Sequence, residues 1–130
     1  HFFKIKSYDH VCLLQATSPL IKTEHILSGL QKYKQGKFDA VISATKEKIY
    51  VWDEKGKPIN FEIKTRNRTQ EHQSVFVENG GFYICNKNNI IKRNTIFAGN
   101  IGFEEVEKSF SIDIDEESDL VLARILYNRR

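Results

Sequence analysis

Ser111-Ile112-Asp113-Ile114-Asp115 sets two carboxylates two positions apart between isoleucines. If Ser109–Ile114 is a strand, Ile112 and Ile114 face the core and Asp113 and Asp115 face the other way, about 7 Å apart. Two carboxylates on one face repel unless a cation joins them, and hard oxygen donors suit magnesium or manganese. The same residues also allow a plainer reading, in which Asp115 caps a final helix and Asp113 is solvated. Gln15, Thr17 and Ser18 offer an amide and two hydroxyls where a strand ends, the place where open α/β sheets bind ligands. Ordinary turn chemistry is the alternative there. In Val77-Glu78-Asn79-Gly80-Gly81-Phe82-Tyr83, the glycines read as a tight turn or a close approach of backbone, followed by an aromatic strand that could equally be core. Arg66 and Arg68 in the polar stretch 64–74 could hold an anion, although a solvated loop is the default. His1, His10, His25 and His72 show no metal spacing. Asn67-Arg68-Thr69 matches the N-glycosylation sequon, which matters only in a secretory protein.

The elements that position these residues follow from apolar patterning. Asp9–Gln15 reads as a short strand buried on both faces, ended by Thr17-Ser18-Pro19. Thr23 to Gly36 reads as a helix, with Thr23 as N-cap, Ile26, Leu27, Leu30 and Tyr33 on one face, and Gly36 closing it. Phe38–Ser43 is a second buried strand, so residues 9–43 form one βαβ crossover. Lys48–Asp53 and Pro58–Ile63 alternate in polarity around Glu54-Lys55-Gly56-Lys57, which predicts a hairpin projecting from the sheet. A strand over Phe82–Cys85, a short helix around Lys87–Arg93, and strands over Gly99–Val106 and Ser109–Ile114 follow. A last helix runs from Asp115 to the end with Val121, Leu122, Ile125 and Leu126 inward. Arg129 and Arg130 favour its C-terminal dipole.

With 130 residues, 40% of them hydrophobic, the chain is one domain that buries a core. A net charge of +3 is too thin for nucleic-acid binding, and the charge is segregated: residues 104–119 hold eight acidic residues and one lysine. No apolar run approaches the roughly 20 residues of a membrane span. His1–Lys6 does not read as a signal peptide, and a chain without Met is expected to be a fragment or processed product. Cys12 and Cys85 lie in apolar runs and read as buried small hydrophobes; their count and spacing exclude a disulfide scaffold or structural zinc.

Four motifs in register carry a resemblance: Leu14-Gln15-Ala16-Thr17-Ser18-Pro19-Leu20, Phe38-Asp39-Ala40-Val41-Ile42-Ser43, Asn79-Gly80-Gly81-Phe82-Tyr83-Ile84 and Ser111–Asp115. From about Asp9 to Tyr127, the sequence resembles the acylneuraminate cytidylyltransferases, the CMP-sialic acid synthetases. The resemblance implies an α/β fold, a doubly wound, mostly parallel nucleotidyltransferase-like sheet in which 48–63 projects as a dimerisation hairpin. It implies transfer of CMP from CTP to N-acetylneuraminate, giving CMP-N-acetylneuraminate and pyrophosphate, in a homodimer or dimer of dimers without nucleic acid or membrane. Magnesium or manganese would be held by Asp113 and Asp115, which makes them the catalytic pair. The glutamine matching Gln15 contacts the sugar, the tyrosine matching Tyr83 lines its pocket, and Asn79 belongs to the same region, with Thr17 and Ser18 beside the substrate. The family's carboxylate-binding basic residue precedes a glutamine that matches Gln70; its slot holds Thr69 here, leaving Arg68 as the substitute. The family's N-terminal strand and CTP-cradling basic loop are absent, so the chain alone is expected to be inactive, as a fragment or as a shortened homologue. A non-catalytic sugar-binding or subunit-interaction module, or a sibling enzyme for another 2-keto sugar acid, are the alternatives. Relatives imply an intracellular location: cytoplasm, nucleus or Golgi.

Overall fold

The computed structural model describes residues 8–129, so the readings of His1–Lys6 and Arg130 lie outside it. Among these residues the order is β1 (His10–Leu14), α1 (Thr23–Lys34), β2 (Ala40–Glu47), β3 (Val75–Asn86), α2 (Lys87–Arg93), β4 (Ile101–Glu105) and α3 (Glu117–Tyr127). The four strands form one sheet in the order β1-β3-β2-β4. β3 is antiparallel to both β1 and β2, while β4 runs parallel to β2. Three strands therefore share one direction, as an α/β fold requires, and β3 is threaded between them the other way.

Val41, Phe82 and Ile84 form the buried centre, against which α1 lays Ile26, Leu30 and Tyr33 at helical spacing. Full burial of a side chain such as Val41, Phe82 or Ile84 contributes about 1.5–3 kcal/mol, and the partly buried helix residues contribute less. Gly29 lets the helix lie this close, because a Cβ there would stand 2.6 Å from the Phe82 ring. The cap of α1 is Lys22, one residue before the expected Thr23, and Gly36 follows the helix in the left-handed region (φ 74°). α2 forms as expected, capped by the Asn86 side chain, which accepts from Asn88 N at 2.8 Å.

Several expectations are corrected. Among the described residues β1 is an edge strand rather than one buried on both faces: it pairs only with β3, and Leu13 and Leu14 are 46% and 53% exposed. Cys12 is accordingly exposed, whereas Cys85, on β3 at the sheet's centre, is buried. The 48–63 excursion makes a hairpin of a single bridge, Trp52 with Pro58, supported by hydrogen bonds from Asp53 N to Lys57 O and Ile59 N to Val51 O. Its side chains instead pack on one another, Tyr50 and Trp52 each edge-on to Phe61 and Tyr50 stacked on His72, so aromatic contact replaces the expected ladder.

Asn79-Gly80-Gly81 lies within β3 instead of forming a turn. One residue lies between Ile42 and Ala44 on β2, whereas four lie between their partners Tyr83 and Glu78. That bulge absorbs the extra residues and returns Glu78 and Tyr83 to one face, which simple alternation would forbid. Ser109–Ile114 is not a strand. A 3-10 turn, Lys108–Phe110, leads into irregular backbone, and Ile114 N donates to Thr17 O rather than to a strand neighbour. α3 is capped by Glu116, not Asp115, and turns Val121, Leu122 and Ile125 outward (43–47% exposed) while burying Ala123.

Candidate functional site

At the carboxyl ends of β1 and β2 lies an open cleft of about 510 Å³. Gln15 reaches it from the end of β1, Thr45 and Glu47 from β2, and Glu78, Asn79, Gly80 and Tyr83 from the bulged part of β3. Lys108, Ser111, Asp113 and Asp115 close it from the segment after β4. Gln15, Asn79, Tyr83, Asp113 and Asp115 are thus brought together from segments far apart in the sequence.

The bulge is held by a buried polar network. Ser43 Oγ donates to Asn79 Oδ1 at 2.7 Å and accepts from Phe82 N at 2.9 Å. Gly81 N also donates to Asn79 Oδ1, and Asn79 Nδ2 donates to Thr45 Oγ1. With its amide committed on both sides, Asn79 shapes the wall of the cleft through backbone placement. Ser18 serves the same end: it is buried, and its hydroxyl donates to Asn79 O at 3.5 Å. Gly80 sits at φ 70°, and a Cβ there would fall 2.7 Å from Asp113 Oδ2 and 2.8 Å from Gln15 Oε1. Only glycine allows both the conformation and the approach.

Asp113 and Asp115 share the cleft because Ile114 N is fixed to Thr17 O at 2.9 Å. Asp119 Oδ2 then accepts from Asp115 N and Glu116 N, leaving the Asp115 carboxylate outside the cap. Asp113 Oδ1 is buried without a hydrogen-bond partner, an expensive state for a carboxylate oxygen. The remaining charges are also mostly negative. Glu47 and Glu78 join the two aspartates, and the one basic residue lining the cleft among the described residues, Lys108, pairs with Glu47 at 2.9 Å. Such a field favours a cation. Burial, the hydrogen bond to Glu78, and the charges of Glu78 and Asp113 push the Tyr83 phenol well above its ordinary range, so it stays protonated and donates.

Thr17, Arg68 and Gln70 do not line the cleft. Thr17 contributes its backbone carbonyl. Arg68 precedes a 3-10 turn, Thr69–Glu71, and Gln70 O accepts from Lys48 Nζ. Arg66 lies over the Tyr50 ring, 4.5 Å from its centre, tying the polar loop to the hairpin. Sequence reading overlooked Glu78, whose signal was its place before the glycines, and Lys108, the lone cation of the acidic stretch.

No family model matches the chain. It is 30% identical over 122 residues to N-acylneuraminate cytidylyltransferase B of Danio rerio, and 27% identical over 125 residues to the A protein of that fish. Against pseudaminic acid cytidylyltransferase of Campylobacter jejuni it is 26% identical over 126 residues. These alignments take in 88–92% of this chain, but it spans only 29% of either fish protein and 54% of the bacterial one. In structure the chain resembles 4-diphosphocytidyl-2C-methyl-D-erythritol synthase of Anaerococcus prevotii (TM-score 0.65, 16% identity, 99% of this chain and 64% of that one), a likeness of fold. Matched along nearly its whole length, the chain belongs to the acylneuraminate cytidylyltransferase family of nucleotidyltransferases, whose members are longer.

Proposed function

We propose that the chain carries the sugar-acid and metal-binding side of a cytidylyltransferase that moves CMP from CTP to N-acetylneuraminate. The anomeric oxygen of the sugar bonds to the α-phosphorus, and the bond to pyrophosphate breaks. The observation that carries this reading is Asp113, which lines the cleft together with Gln15 and Tyr83 and has one buried, unpartnered carboxylate oxygen.

The residues present fit a hard divalent cation. Asp113 has an oxygen in need of a partner, and Asp115 offers a second carboxylate nearby. Among the described residues no group of three or more His, Cys, Asp or Glu could hold a metal, so the rest of the shell would come from substrate and water, which suits magnesium, usually held by one or two carboxylates, better than zinc, which takes at least three protein ligands. When bound, magnesium or manganese supplies neutralisation of phosphate charge. The chain's own residues orient the acceptor. Tyr83 and Gln15 offer hydrogen bonds on one wall, and the Asn79 network keeps that wall fixed. The pseudaminic acid relative favours a second reading, the same transfer to a sibling sugar acid.

The test is CTP-dependent pyrophosphate release by a longer protein that carries this chain, with N-acetylneuraminate and with pseudaminic acid. Asp113→Asn and Asp115→Asn should each lower turnover by about two orders of magnitude or more with little change in thermal stability, and added magnesium should partly restore it. Release with neither acid, or wild-type turnover in both variants, rejects the proposal. A sugar-binding module would instead bind the acid equally well with and without magnesium.

A homodimer through 48–63 belongs to the same proposal. Trp52, Ile59 and Ile63 are 45%, 64% and 63% exposed on the hairpin, more apolar surface than an isolated two-stranded element usually leaves open. Light scattering should give at least a dimer, and Trp52→Glu should reduce it to monomer; an unchanged mass removes the hairpin from the interface.

A further inference from the structure

Tyr83 Oη stands 2.5 Å from Glu78 Oε1 and 3.3 Å from Gln15 Oε1. A phenol has one proton and can donate it to only one of these oxygens. The carboxylate takes it, being nearer and charged. An oxygen of Gln15 at the second position would then face a lone pair of Tyr83. Rotation of the amide removes that conflict: Nε2 donates to Tyr83 Oη, and Oε1 turns to the cleft that Gln15 lines. Tyr83 is largely buried, and a Cβ at Gly80 would stand 2.8 Å from Gln15 Oε1, so the Gln15 amide lies close against the β3 backbone.

From this geometry we infer that Glu78 is a positioning residue: by accepting the hydrogen bond of the Tyr83 hydroxyl, it fixes Gln15 with its carbonyl oxygen toward the cleft, which makes that wall an acceptor for an N–H or O–H group of the ligand. Glu78 can do so only because the β3 bulge returns it to the face of Tyr83. The proposal deepens the sugar-acid reading and rests on it only for the identity of the ligand.

Glu78→Leu removes the acceptor, so the Tyr83 hydroxyl donates to Gln15 Oε1 instead and the amide turns its NH₂ to the cleft. Glu78→Gln keeps an acceptor. In the ligand-free chain, the Gln15 side-chain NH₂ signals in ¹⁵N-resolved NMR should move in Glu78→Leu and hold their place in Glu78→Gln. Tyr83→Phe, which removes the hydroxyl without touching Glu78, should move them too and covers a failure of the leucine variant to fold. N-acetylneuraminate titrated into the same samples should bind Glu78→Leu about tenfold more weakly than wild type, and Glu78→Gln within about threefold. Unmoved Gln15 signals in folded Glu78→Leu or Tyr83→Phe overturn the proposal. Gln15 signals that move as expected, with no N-acetylneuraminate binding even by wild type, uphold the positioning role and reject the sugar-acid reading.

Discussion

Gly80 concentrates more constraint than any other residue of the cleft. Its φ of 70° alone makes a side chain unfavourable, and a Cβ would press on Asp113 and Gln15 together. Gly80→Ala should cost about 1–2 kcal/mol of stability by thermal melting, from strain alone. Because the bulge would open against the two functional side chains, sugar-acid binding should fall by more than the melting change implies; a variant that binds like wild type would free the cleft from dependence on this contact. Residue types flagged Gln15, Tyr83, Asp113 and Asp115 in the sequence, since amides and carboxylates near strand ends are legible there. The Asn79 role was not legible, because its hydrogen bonds to Ser43 and Thr45 exist only across paired strands.

At the scale of elements, contiguous apolar runs made β1, α1 and β2 readable, and turn chemistry did not. Glu78-Asn79-Gly80-Gly81 has a turn's composition, yet the pairing of residues 75–78 and 83–85 with β2 carries it through β3 as a bulge. Ser111–Asp115 alternates like a strand but has no strand neighbour, and the Thr17 carbonyl takes its backbone amide. Both aspartates line the cleft from irregular backbone, not from one face of a strand. β1 yields a direct check. Cys12, exposed on the edge strand, should react with a thiol-specific disulfide reagent in the native chain, while Cys85 should wait for unfolding. Burial raises both thiols above their ordinary range, so the difference in rate is one of access alone. Two equally fast thiols would place β1 elsewhere than at an open edge.

For the molecule as a whole, charge decides what the cleft accepts unaided. Its lining holds four carboxylates and one lysine already paired with one of them. A triphosphate entering this field meets repulsion, and no loop of backbone amides is present among the described residues to receive it. Calorimetry of this chain with CTP and magnesium should therefore find no binding in the micromolar range; a micromolar constant would show that the chain suffices for nucleotide recognition. No helix among the described residues is long and apolar enough to cross a membrane.

The threading of β3 has a consequence for how the chain acquires its shape. Neither β1 nor β2 touches the other; each waits for residues 75–86, and the one other pairing, β2 with β4, needs residues beyond 100. Among the described residues, the first half thus supplies neither β1 nor β2 with a strand partner, and gives α1 only part of its packing surface. Sheet formation is a late event, governed by contacts between distant parts of the sequence, and such folds form slowly. The strand that completes the sheet also brings Glu78, Gly80 and Tyr83, so the chain cannot assemble its scaffold and leave its cleft unbuilt.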